Sequence, residues 1–142
     1  ALYNTLEESI NVIYNDYLKK SLEKGASGIV HKVAIGIITD GEDTYIDGIS
    51  KFKSPEAYEE KRKQKIKSIN LEMQRLRGNG DVSQAMLVSS VLIGLTGTEF
   101  SELKLKEMKR ELNFDEAISI NQANDQSIRK AFKLFSTNAL NI

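Results

Sequence analysis

Four carboxylates and two glycines fall within the eleven residues ITDGEDTYIDG, Ile38 to Gly48: Asp40, Glu42, Asp43 and Asp47, with Gly41 and Gly48. Oxygen ligands at this density suit a hard divalent cation, and a loop of this kind could serve a metal-dependent enzyme. The spacing argues for a turn instead. On a strand, Asp43 and Asp47 stand about 13 Å apart, beyond the reach of one ion. A calcium-loop count from Asp43 puts Tyr45 where an oxygen ligand belongs and Ser54 where the terminal glutamate belongs. A tip made of Asp40, Glu42 and Asp43 remains the metal alternative, but turns select Asp and Gly for backbone reasons alone. No metal and no other cofactor is expected.

His31 is the only histidine. Beside Ser50 on an apolar strand face it reads as a satisfied, half-buried side chain, since no nucleophile-elbow pattern accompanies it. The chain has no cysteine, which removes thiolate nucleophiles, disulfides and thiolate-bound zinc together. Its glycines form neither a P-loop nor a dinucleotide fingerprint.

Cations gather in two places. Lys61, Arg62, Lys63, Lys65 and Lys67 are close in sequence, and Arg129, Lys130 and Lys133 follow near the end. Either group could touch phosphates, which makes nucleic-acid binding the first alternative function. Glu56, Glu59, Glu60 and Glu72 interrupt the first group, and 20 basic residues balance 20 acidic ones over the whole chain. The plainer reading is a solvated helix laced with ion pairs. Around the second group, Met108, Leu112 and Phe114 match the apolar positions of a helix-turn-helix bend, but Lys109 occupies the place of a small residue and the next connection is too long.

The elements that must position these residues follow from periodicity. Leu2, Leu6, Ile10, Ile13 and Tyr17 make one apolar stripe on a helix that stops near Gly25. From Ile29 to Phe52 the period becomes two and β-branched residues dominate, which predicts an antiparallel β-hairpin turning at Asp40-Gly41. Its register sets Ile35 against Ile46, Val33 against Gly48 and Ile29 against Phe52. Ser54-Pro55-Glu56 opens a helix that runs to Arg77, with Ile66, Ile69, Met73 and Leu76 as its seam. Val82 to Leu95 is apolar nearly all round and is expected to be a central helix. A fourth helix spans Glu99 to Leu112, with Glu102 and Lys106 paired, and Asn113 ends it. The stretch FDEAISI is expected to form a short helix or turn, and a last helix covers Asp125 to Phe135.

The expected fold is therefore α+β: a mainly helical single domain over residues 1–142, with about five helices and one antiparallel β-hairpin at 29–52. A chain of 142 residues can bury a core of its own. No apolar run is long enough to cross a bilayer, and a soluble, cytoplasmic protein is expected. The functional expectation is a non-enzymatic protein–protein interaction or assembly module without a membrane role. It would self-associate, or bind another protein, through Ile66, Ile69, Met73 and Leu76 of helix 55–77, and through the hairpin edges with Tyr45 and Ile49 on the outer face.

Overall fold

A computed structural model of the protein describes residues 2–19, 32–41, 55–78, 87–97, 99–122 and 124–140. The chain divides into two compact units, one from Ala1–His31 and Asp43–Met86, the other from Lys32–Glu42 and Leu87–Ile142.

The first unit contains helix α1 (Leu2–Ile13), which runs on into a π-helical turn (Tyr14–Lys19), and the long helix α2 (Pro55–Leu76). Leu6 and Ile10 are buried as their spacing predicts, and Tyr3 is buried beside them. Tyr17 is not: it is 62% exposed, and Leu18 is buried in its place. A π turn takes in one residue more than an α turn, so the inward position slips from 17 to 18. On α2, Pro55 holds the first helical position and Ile66, Ile69, Met73 and Leu76 are all buried. The helix ends just before Gly78, which adopts a left-handed φ of 81°.

Polar side chains cross between these helices. Lys65 donates to Glu7 at 3.1 Å and Ser68 donates to the same carboxylate. Further on, Arg75 donates to Asn11 at 2.9 Å and stacks 3.8 Å above the Tyr14 ring. Contacts advance along both helices together, so α1 and α2 run parallel.

The second unit is a parallel sheet of three strands, β1 (Lys32–Thr39), β2 (Leu87–Leu95) and β3 (Glu116–Ile120), in the order β1-β2-β3. Ile35 pairs with Ser90, Thr39 with Gly94, and Gly94 with Ser119. Helix α3 (Glu102–Glu111) links β2 to β3, and helix α4 (Asp125–Leu140) follows β3. Val91, Ile93 and Ile120 pack with Ala131 and Phe135 of α4 on one face. On the other face Gly94 lies under α3, where an added Cβ would come within 2.7 Å of Leu105. The two helices thus cover opposite faces, and β2 is buried on both sides.

Three expectations are corrected. The first is the fold class. Among the described residues there are four α-helices and an all-parallel sheet, a mixed α/β arrangement, in place of about five helices and an antiparallel hairpin. Val33 and Ile35 pair with Val88 and Ser90 of a parallel strand. The expected second arm, 43–52, and Ile29 and His31 lie outside the described residues. Gly41 takes a left-handed φ of 88°, and the chain from Glu42 lies outside the described residues. A local turn signal ends a strand without choosing its partner, and the hydrophobic alternation that suggested a hairpin is equally met by a strand in a parallel sheet.

The second correction concerns Val82 to Leu95. Residues 87–95 are the central strand, not a helix. All-round apolarity belongs to a buried helix and to a strand covered on both faces alike, and the β-branched Val88, Val91 and Ile93 with Ser89-Ser90 favour the strand. The third is FDEAISI, whose last five residues form β3. Asp115 ties it in: its carboxylate accepts from the Ser90 amide at 2.9 Å and the Ser90 hydroxyl at 3.1 Å.

Candidate functional site: the carboxyl edge of the sheet

Parallel sheets with helices on both faces leave one consistent opening, the edge where the strands end in their carboxyl direction. Here that edge is built by Thr39-Asp40-Gly41 after β1, Thr96-Gly97 after β2, and Asn121-Gln122 after β3.

These segments are fixed by hydrogen bonds and packing, some local and some between strands. The Thr39 hydroxyl is buried and accepts the Gly41 amide at 3.0 Å, which bends the backbone around Asp40. Phe100 packs where a Cβ on Gly41 would sit, so only glycine fits both the φ and the space. Gly97 donates to the Phe100 carbonyl at 2.8 Å, and the Thr96 amide to Ile120 at 2.9 Å. Thr96 and Ser119 share a hydroxyl bond of 2.8 Å, and Ser119 donates on to Glu102 at 3.3 Å. Glu102 was expected to pair with Lys106; it is engaged by the serine instead. Asn124 caps α4 by accepting the Ser127 amide at 2.9 Å, while Ser127 accepts the Asn124 amide at 3.2 Å.

Asp40 stands exposed on this rigid frame. Beside β3 the edge continues into a groove of about 630 Å³ lined by Asn121, Gln122, Asn124, Gln126 and Lys130, with Leu134 at its apolar end. Its chemistry is that of hydrogen bonding: carboxamides, the hydroxyls of Ser119 and Ser127 and one cation, with the acid of Asp40 on another strand of the same edge.

The residues expected to act are dispersed. Ile66, Ile69, Met73 and Leu76 are buried in the first unit, so this seam packs inside the chain. Tyr45 and Ile49 lie outside the described residues, as do Glu42, Asp43, Asp47 and Ser50 of the acidic stretch and its neighbour. Lys61, Lys63 and Lys67 are exposed on α2, whereas Arg62 pairs with Glu59 at 2.9 Å and Lys65 with Glu7. The Arg62 guanidinium, hydrogen-bonded to Glu59, holds that carboxyl below its ordinary value. Arg129, Lys130 and Lys133 are exposed on α4, where Lys130 joins the groove. Among the described residues no three acids or histidines come together as a metal cluster. No described helix is long and apolar enough to cross a membrane.

Sequence reasoning missed Thr96, Ser119, Asn121 and Gln122, because their role depends on which strands are parallel. The available signal was the alternation of apolar runs with helical segments after residue 87, which marks a βαβ unit. No protein-family model, curated protein or solved structure matches the chain.

Proposed function

We propose that this protein is a binding module that engages a protein partner through the carboxyl edge of its parallel sheet. The observation that carries the reading is the position of Asp40: an exposed carboxylate on a turn locked by Thr39, Gly41 and Phe100, at the edge where parallel sheets take ligands. A preorganised acid loses little freedom on binding, and a basic side chain of the partner is its natural complement. The assembly role expected from the sequence fits the same edge better than the seam of α2, which is occupied within the chain.

A second reading has support from the same residue. An exposed carboxylate at a strand end offers oxygen ligands of the kind divalent cations prefer. Titration of isotope-labelled protein with a short lysine-rich peptide should move amide resonances of residues 39–41, 96–97 and 119–122, and Asp40→Asn should remove the shifts. Shifts confined to other residues would sink the proposal. For the second reading, magnesium, calcium or manganese should raise the melting temperature of the native chain and not of Asp40→Asn.

A further inference from the structure

Along helix α3 and the start of β3 lies a second, open groove of about 720 Å³. Lys106, Lys109 and Arg110 line it, with Glu116 as its one acid and Leu103 as its apolar wall. Leu103 is 68% exposed.

Several cations of the chain are held by acceptors and others, such as Lys61, Lys67 and Arg129, are exposed; what sets these three apart is that they line one groove. Arg62 and Lys65 pair with carboxylates, Arg75 with Glu72 and Asn11, and Lys104 donates to the Glu99 carbonyl. By contrast, the side chains of Lys106, Lys109 and Arg110 make no ion pair or hydrogen bond with a described residue. They are not needed to close the helix either. The carbonyls of Met108, Lys109 and Arg110 are taken by the amides of Leu112, Phe114 and Asn113, with Asn113 at a left-handed φ of 54°. The helix dipole favours cations at this end, but it accounts neither for three that converge on one groove nor for an exposed leucine among them.

We propose that this groove is a docking site for an acidic peptide segment of a partner protein, one that carries an apolar residue among its carboxylates. Charge complementarity selects the segment: three cations without a partner among the described residues line the groove with one acid, in a chain whose overall charge is zero. Leu103 supplies the apolar contact that an inorganic anion would not use. The inference stands apart from the carboxyl-edge reading, since the two sites share no residue.

The test is fluorescence anisotropy with a labelled Asp/Glu-rich peptide bearing a single leucine, titrated with the full chain. Binding is expected to weaken as salt rises, and to weaken about tenfold or more in the doubly reversed Lys109→Glu/Arg110→Glu chain, a change of about 1.4 kcal/mol. Leu103→Ser should weaken it separately, because it leaves the charge unchanged. Lys61→Glu/Lys67→Glu, on the first unit, should bind as the parent does. Circular dichroism and melting curves verify that each variant is folded. Equal binding by parent and Lys109→Glu/Arg110→Glu would overturn the proposal, and so would tighter binding of a single-stranded oligonucleotide than of the peptide. Asp40→Asn leaves this binding intact, so failure here and failure of the carboxyl-edge reading are separate results.

Discussion

The two units solve the same problem, holding polar side chains beside an apolar core, in opposite ways. In the first, polar groups reach across between parallel helices: Glu7 to Lys65 and Ser68, Asn11 and Tyr14 to Arg75. In the second, the sheet faces are apolar and the polar groups sit at the strand ends, with Ser90–Asp115 at one end and Thr39, Thr96 and Ser119 at the other. Polar groups spent on internal contacts fix how elements pack, and the buried Ser90 and Thr39 are of this kind, whereas Asp40, Asn121 and Gln122 beyond the strand ends are exposed and within reach of ligands. The second unit is for that reason the one that carries both proposed surfaces.

The comparison can be broken by substitution, beginning with the cores. Ile93→Ala in the sheet and Met73→Ala on α2 each empty a fully buried site and should cost about 2–5 kcal/mol. Urea titration measures the loss. Hydrogen exchange should speed up in the strands for the first variant and in α1 and α2 for the second; identical exchange patterns would contradict the distinction between the cores.

Next come the fixed ends. Gly41→Ala demands a left-handed φ from alanine and drives its Cβ into Phe100, so a loss of about 1–3 kcal/mol is expected. It should also disorder the edge around Asp40, visible as broadened amide resonances at 39–41. Removing the polar ties should cost about as much in either unit: Asp115→Ala strands the buried Ser90 groups, and Arg75→Ala strands Glu72 and Asn11, each at about 1–3 kcal/mol. If Asp115→Ala is neutral, the strand-end ties are decoration and the contrast loses its energetic basis.

The smallest effect belongs to the surface pair Glu59–Arg62. Because the folded-state pKa of Glu59 is lowered from 4.5, its contribution is complete at neutral pH and disappears as the pH falls through the folded value. Both partners are partly exposed, so the pair is worth about a few tenths of a kcal/mol. Arg62→Gln should remove the shift, read from the Glu59 side-chain carbon resonance during acid titration.

How far these features were legible varies with the range of the interaction. Helix α2 was, because its Pro55 start, its seam and its Gly78 stop are all local. The stripe of α1 was legible until Tyr14, where the π turn moved the buried position to Leu18. Strand β2 was misread because burial on both faces erases periodicity, and β3 because five residues are too few to show one. Asp40 drew attention as a chemical residue, but its surroundings at the carboxyl edge come from segments far apart in the chain.

By itself the sequence determined the local events: where α2 begins and ends, where α3 ends, the glycine after Asp40, the charge balance, and the absence of any thiol. Propensities, caps and turn residues act over a few positions, and those positions are on view in the chain. Only the tertiary structure decided that β1 lies parallel beside β2, that β2 is central, and that Thr96, Ser119 and Asp40 share one edge. Strand pairing joins segments 55 residues apart for β1 and β2 and 25 apart for β2 and β3, through backbone hydrogen bonds common to every residue type, so no local pattern names the partner.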